Sequence, residues 1–472
     1  MIHSSSQQAR LSAEHIGILC SAISSETGRK IGVTDIEVPF DDLYLDPVAV
    51  MNVLGTVRER TGIELPASVF RDCGSVAEIA NKFGATVAAP SDPSISPQGG
   101  LIQTAFADIS KLLERVEHEA GTSNFWTEVY PAQMRLVLAY INEAFARLGS
   151  PLSNMAPNTP VSNPPGVLPK HHRVLRGAIF DILEIGGLVE RQGGCYVRTS
   201  TAIDTTPAEV IFEKLVREQP LHANTHCLLN VTGSRFAECL AGEADPLKLL
   251  FSKSKDLLQD FYTNAPMSVV ASELLAALLR RVFSTISREQ SRAVEILEVG
   301  AGMGGTTKFI LDMLLDAEIP FKYVFTDISA SFFSTAKARY KHLPPGSIEY
   351  LVLDIEKEPP DHLQNHFDAV ISTNCIHATK DLIVSCSNVR RLLRPGGLFG
   401  LVEFTTRLYW LDLVFGLLDG WWLFTDDRTH CTTNEAVWKA KLAASGFSDV
   451  LWVEGEGGRK PNPQLIIGCT ES

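Results

Sequence analysis

An α/β fold, with a Rossmann-like sheet in the C-terminal half and mostly helical segments ahead of it, is predicted by three observations in this 472-residue chain. The stretch "EILEVGAGMGGTTKFIL" runs from a short apolar strand into a glycine turn and then into a helix. Two further strand-like runs, "KYVFTD" and "IEYLVLDIEK", place acidic residues at their ends, and "FDAVISTNCIHAT" and "RPGGLFGLVEF" supply a fourth and a fifth. Most apolar residues upstream of these runs recur at helical spacing.

Composition narrows the function classes. Acidic residues outnumber basic ones, 55 to 42, for a formal net charge of −13, so a nucleic-acid partner, which needs a basic face, is not expected. There is no run of about eighteen apolar residues to span a membrane, and "MIHSSSQQAR" lacks the apolar core of a secretory signal. Nine cysteines are scattered from Cys20 to Cys469 with no C-x-x-C pair, which indicates neither a zinc site nor a disulfide framework. A reducing cytoplasm is the expected setting.

The first 88 residues read as a small helical bundle. Ile16, Leu19, Cys20 and Ile23 mark one helix and Val50, Val53, Leu54 and Val57 a second. "SVAE" offers a capping box from Ser75 to Glu78 ahead of Ile79, Ala80 and Phe83. Asp46 and Pro47 make a sound helix start, an N-cap followed by proline in the first turn. The order of "FDDLYLDPVAV", an amphipathic helix and "GIELPASVF" resembles an acyl carrier protein. Carriers hold their phosphopantetheine-bearing serine where this chain has Pro47, so the resemblance implies the fold without the attachment chemistry.

Residues 89–103 are expected to be a linker, from the proline and small residues of "TVAAPSDPSISPQGG". Residues 104–264 read as a lid-like subdomain. Phe106, Ile109, Leu112, Leu113 and Val116 form one amphipathic helix, and Met134, Val137, Ile141, Phe145 and Leu148 another. A proline-rich loop from Pro151 to Pro169 follows. Then "HRVLRGAIFDILEIGGLVERQGGCYVRT" reads as helix, strand, Gly193-Gly194 turn and strand, a winged-helix-like order. Fold order does not carry function, and the acidic whole argues against DNA reading.

Residues 265–472 hold the chemistry. A glycine turn between strand and helix presents backbone amides to a ligand. Gly300, Gly302 and Gly305 also satisfy G-x-G-x-x-G, which by itself leaves a dinucleotide site open. Glu298 inside the strand end, the recurring Gly300, Gly302 and Gly304, Asp327 placed for a ribose diol, and Asp354 after the third strand together resemble the class I S-adenosylmethionine-dependent methyltransferases. The resemblance implies cofactor contact from Glu298, Gly300, Gly302, Gly304, Asp327, Asp354 and Ile355, with S-adenosyl-L-methionine as methyl donor, S-adenosyl-L-homocysteine as product, and no metal.

A narrower resemblance runs from about residue 105 to the C-terminus. "LLNVTGSRFAECLAGEADPLKLLF", "DFYTNAPM", "NCIHATKDL", "RPGGLFGLVEF" and "LDLVFGLLDGWWLFTDDR" are similar to the C-methyltransferase domain of fungal non-reducing polyketide synthases. That similarity implies a catalytic dyad of His377 and Glu403, with Tyr262 at the entry to the cofactor pocket. The chemistry is consistent, because the carbon between two carbonyls of a β-ketoacyl thioester is acidic enough for a positioned histidine to deprotonate. Trp421 and Trp422 read either as walls of a substrate channel or as core. The expected partners are a polyketide substrate and the acyl carrier domain of a separate synthase, with no membrane. The initial methionine and the lack of ketosynthase, acyltransferase or thioesterase segments point to a free-standing enzyme working in trans. An O-methyltransferase of a released product and a non-catalytic scaffold are the alternatives.

Overall fold

The computed structural model describes residues 13–82, apart from positions 28, 33, 34, 37, 39, 44–46, 62–64, 66–68 and 74, and residues 97–471 apart from 456 and 457. Asp46, Phe83 and the first part of the expected linker lie outside the described residues. The chain divides into two compact units, Met1–Ile95 and Ser96–Ser472.

The first unit holds helices at Ala13–Thr27, Pro47–Thr61, Val69–Asp72 and Val76–Lys82. Ile16, Leu19 and Ile23 share one core with Val53, Val57, Ile79 and Ala80. The second helix starts at Pro47, whose fixed φ suits a first turn. Ser75 Oγ accepts the backbone N–H of Glu78 at 3.3 Å, the serine half of the capping box written in "SVAE".

The second unit begins earlier than composition suggests. A helix spans Pro97–Ser110, starting within the expected 89–103 linker and running past its end, because Ile102, Ala105, Phe106 and Ile109 belong to the core on one face of the large sheet. The single helix expected from Phe106 to Val116 is broken by a turn in which Leu112 N–H donates to the Ile109 carbonyl (2.9 Å), and it resumes as Leu113–Ala120.

The lid is built around the helix Tyr130–Arg147. Its small antiparallel sheet consists of β1 (Pro160–Val161), β2 (Val189–Gln192) and β3 (Cys195–Arg198), in the order β1-β3-β2. Gly193 and Gly194, at φ +55° and +86°, make the tight turn between β2 and β3 that side chains with a Cβ rarely adopt. Arg198 is buried, and its guanidinium donates to the carbonyls of Leu152, Leu188, Thr199 and Thr201. The wing's buried cation is thus consumed within the fold.

The large sheet comprises β4 (Val294–Val299), β5 (Phe321–Asp327), β6 (Ile348–Val352), β7 (Phe367–Thr373), β8 (Leu393–Glu403), β9 (Asp449–Trp452) and β10 (Gln464–Cys469). Their order is β6-β5-β4-β7-β8-β10-β9. The first five are mutually parallel, and β10 runs antiparallel between β8 and β9. Strands covered on both faces read as continuous apolar runs rather than alternation, as the buried "FDAVIS" of β7 illustrates. One face is covered by helices that include Pro266–Gln290 and Gly305–Asp316, and the other by Leu382–Leu392 and Glu435–Ala444.

Two local departures from the sequence reading have physical causes. Asp354 does not end a strand. β6 stops at Val352, because Asp354 Oδ1 accepts the N–H of Glu356 (3.1 Å) and its carbonyl accepts that of Lys357 (3.0 Å), a side-chain-closed turn that competes with pairing. The "RPGG" segment does not form a turn ahead of the fifth strand but lies within β8. Five residues of β8 are taken up against two of β7 there, with Leu393 opposite Phe367 and Leu398 opposite Ala369. Among the described residues no helix is long and apolar enough to cross a membrane.

Candidate active site

The strand order reverses at β4, which pairs with β5 on one side and β7 on the other. The crevice beyond the carboxyl ends at such a switch point is where sheets of this kind bind ligands. Two cavities open there. The first, about 380 Å³, is lined among others by Glu298, Gly300, Gly302, Asp327, Asp354 and Ile355. The second, about 190 Å³, is lined by His377 and a largely apolar wall that includes Phe261, Phe404, Phe415 and Trp421. Tyr262, Asn374 and Ala378 line both.

The turn after β4 is shaped by glycine. Gly300 sits at φ +66°, and a Cβ there would lie 2.2 Å from Cys375 Sγ. Gly305 opens the following helix, and a Cβ there would lie 2.4 Å from the Tyr262 carbonyl oxygen. Backbone and neighbouring walls therefore approach as only glycine permits. Gly304, at φ +74°, is not among the cavity-lining residues. Its carbonyl accepts the Tyr340 hydroxyl at 3.3 Å, so its part is to start the helix.

Carboxylates flank this turn. Glu298 Oε2 accepts the hydroxyls of Thr307 (2.5 Å) and Tyr323 (2.6 Å), tying the glycine helix to β5. Burial pushes its carboxyl up to about 7. Asp327 Oδ2 accepts the Gly302 N–H at 3.0 Å and Oδ1 that of Ser329 at 2.9 Å. Burial holds its carboxyl above the usual range against these backbone bonds. Each oxygen keeps a lone pair at the mouth of the first cavity, where a ribose diol has acceptors to find. Ile355 is buried, and with Leu353 and Ile328 it gives that cavity an apolar stretch. Cys375 lines it too, but burial pushes its thiol up to about 12, so it stays protonated and a poor nucleophile.

His377 follows β7 in a short 3-10 turn, and Glu403 ends the adjacent β8. The imidazole Nδ1 lies 2.5 Å from Glu403 Oε2, and Glu403 Oε1 accepts the His377 backbone N–H at 3.2 Å. A carboxylate only accepts, so Nδ1 carries the proton toward Glu403, and Nε2 is the ring nitrogen that Glu403 does not engage. Burial works against a charged imidazole, yet the Glu403 carboxylate, joined by Cys431, prevails and holds the His377 pKa well above its ordinary value. The turn is pinned from behind by Arg428, which donates to the carbonyls of His377 and Thr379, both at 2.7 Å.

The tryptophan pair divides its roles. Trp421 lines the second cavity, whereas Trp422 packs against Gly177 of the lid and donates its indole N–H to the Gly416 carbonyl (2.8 Å). Trp421 donates to Asp412, which also accepts from His430 (2.8 Å) and Arg407 (3.0 Å). Sequence reading missed this buried carboxylate, because its three partners come from separate turns. It also missed Asn374, and it singled out Gly305 only within the G-x-G-x-x-G pattern of a dinucleotide site. The glycine-rich run and an Asn in a strand-to-turn step were the only available signals.

Residues 107–196 match the family described as a methyltransferase helix-turn-helix domain, residues 297–399 a methyltransferase domain, and residues 18–83 a phosphopantetheine attachment site. The chain is 51% identical over 453 residues to the polyketide methyltransferase ustM of Ustilaginoidea virens, covering 95% of this chain and 98% of that protein. It is 43% identical over 380 residues to the non-reducing polyketide synthase pkbA of Emericella nidulans, covering 79% of this chain but only 15% of that synthase. Among solved structures, the citrinin polyketide synthase CMeT domain matches with a TM-score of 0.74 and 34% identity, over 79% of this chain and 98% of that one. The chain is an enzyme of the polyketide methyltransferase family.

Proposed function

We propose that this methyltransferase transfers a methyl group to the α-carbon of a β-ketoacyl chain borne on the carrier domain of a separate polyketide synthase. The observation that carries the reading is the joining of two unlike cavities at Tyr262, Asn374 and Ala378, one lined by glycine backbone and carboxylates, the other by His377 and aromatic rings.

The first cavity suits S-adenosylmethionine. A Cβ would fill the cradle at Gly300 and Gly305, Asp327 offers acceptors for a ribose diol, and Ile355 and Leu353 offer an apolar face for a base. When bound, that donor supplies an electrophilic methyl group and a positive charge, and it leaves as S-adenosylhomocysteine. His377 is the base. Its Nε2 takes the α-proton, and the electron pair left on carbon forms the new carbon–carbon bond. Glu403 fixes the tautomer and stabilises the imidazolium that results. A positive charge in the adjoining cavity opposes the imidazolium and favours the base-competent neutral ring. The aromatic wall of the second cavity keeps water from the carbanion equivalent, and alignment of the two cavities supplies proximity.

One fact supports action in trans. The N-terminal unit has Pro47 where a carrier needs its serine, and a proline cannot take up phosphopantetheine. The test is intact-protein mass spectrometry of a β-ketoacyl-loaded carrier incubated with the enzyme and S-adenosylmethionine. A methylated acyl chain with the α-hydrogen replaced is expected. Methylation only of a released phenol would overturn the reading.

A further inference from the structure

Asn374 is not used in the scheme above, yet three observations single it out. It stands at φ +47°, in the left-handed region that non-glycine residues seldom occupy, directly after β7 and three residues before His377. Its backbone N–H donates to the Val402 carbonyl at 2.8 Å, so it is tied to β8 beside Glu403. Its side-chain Oδ1 is buried and has no hydrogen-bond partner among the described residues. Strained backbone of this kind persists only where the surroundings hold it, and it gathers at functional sites.

Position gives these features a purpose. Asn374 lines both cavities at their junction. It is half-buried, and with Oδ1 closed off from solvent and unpartnered, the amide NH2 is the donor this side chain has to offer the cavities it lines. The second cavity has few polar side chains. Trp421 spends its N–H on Asp412, and His377 must receive the proton, which leaves Tyr262 and Asn374. Removal of an α-proton moves negative charge onto the adjacent carbonyl oxygen, and an oxyanion against an apolar wall needs a fixed donor.

We infer that the Asn374 amide donates to the acceptor's carbonyl oxygen as it becomes an enolate, making this residue a substrate-binding group of the reaction. In this step the α-C–H bond breaks, its proton goes to His377 Nε2, and its electron pair delocalises onto the oxygen held by Asn374. When the carbon–methyl bond forms, the electrons return and the carbonyl is restored. The inference rests on the carbon-methylation reading above.

Enolate formation can be read without methyl transfer, as enzyme-dependent exchange of α-hydrogen for deuterium in an acetoacetyl thioester, with saturating S-adenosylhomocysteine in D2O. Two variants tolerate the left-handed φ: Asn374→Gly deletes the amide, and Asn374→Asp keeps its shape but loses the donor. Both are expected to lower exchange by roughly a hundredfold or more, as removal of an oxyanion donor does, with S-adenosylhomocysteine affinity by calorimetry unchanged. Wild-type exchange in Asn374→Gly would overturn the inference, as would a loss that disappears once S-adenosylhomocysteine is raised to saturate the variant. Absence of exchange in the wild type as well as in His377→Ala would instead overturn carbon methylation itself.

Discussion

The indole ring of Trp421 meets the imidazole of His377 edge to face, 5.5 Å between centroids and 73° between planes. The indole N–H is spent on Asp412, whose carboxylate is fully buried between Arg407 and His430. Arg407 also reaches Asp181 and the Gly177 carbonyl in the lid. The wall beside the proposed base is therefore anchored through one carboxylate to both subdomains.

That arrangement makes Asp412 a stability hot spot. His430 and Arg407 hold its carboxyl below the ordinary range in spite of burial. Asp412→Ala would leave Arg407, His430 and the Trp421 indole without their shared acceptor, and removing one partner of a buried ion pair costs about 3–5 kcal/mol. A large drop in the urea midpoint is expected, whereas Trp421→Phe, which keeps the ring and loses one hydrogen bond, should cost about 1 kcal/mol plus any penalty at Asp412.

The His377–Glu403 pair predicts a pH signature. Because the pair raises the His377 pKa well above 6.5, the neutral base is scarce below that pKa, and kcat/KM should rise with pH through it. Glu403→Gln removes the charge that raises the pKa, so the rising limb should move to lower pH while the plateau falls. His377→Ala should lose roughly a hundredfold or more in methyl transfer while binding S-adenosylhomocysteine normally. A limb that stays in place in Glu403→Gln would dissociate the two residues.

Cofactor binding should depend on Asp327 more than on Glu298. Asp327 presents its carboxylate at the cavity with one backbone bond per oxygen, whereas Glu298 is engaged by Thr307 and Tyr323. Asp327→Ala is expected to weaken S-adenosylhomocysteine binding by about 1–3 kcal/mol, the cost of a lost charged hydrogen bond, measured by calorimetry. Glu298→Gln should instead appear mainly in thermal stability.

Gly300→Ala tests the cradle itself. The added Cβ meets Cys375 Sγ at 2.2 Å, and φ +66° is unfavourable for alanine. About 1–3 kcal/mol of overpacking, together with displacement of Cys375 into the first cavity, should lower both Tm and donor affinity. A Cys375→Ala partner substitution should relieve the packing part and leave the backbone part.

What the sequence made readable followed from period and order. The run into Gly300, the acidic residue that ends β5 and the apolar β7 are local patterns, and each is found where its period put it. His377 and Glu403 are 26 residues apart, and their contact follows only because β7 and β8 are neighbours. Elements that depend on distant partners were not legible. The helix at Pro97–Ser110 is hidden by its proline and glycines and is held by a core assembled far along the chain. An Asn just after a strand is the one trace of the strained φ at Asn374, and the three-way capture of Asp412 has no local signature at all.

The N-terminal unit supplies the last prediction. It keeps a packed core around Leu19, Val53 and Ile79 but has Pro47 at the helix start, so incubation with a phosphopantetheinyl transferase and coenzyme A should add no mass to the wild-type protein. Pro47→Ser restores a hydroxyl at a position that serine tolerates, and any gain of mass then reports that the surrounding surface is still carrier-like. Removing residues 1–88 leaves intact the helix that begins at Pro97 and packs into the large sheet's core, so the methyltransferase unit should remain folded. A unit kept for docking predicts that this truncation raises KM for the carrier-bound substrate while sparing turnover of a small thioester mimic, because only uniform binding is lost. A packing remnant predicts equal losses on both substrates, or none. Equal KM values for full-length and truncated enzyme on the carrier-bound substrate would end the docking reading.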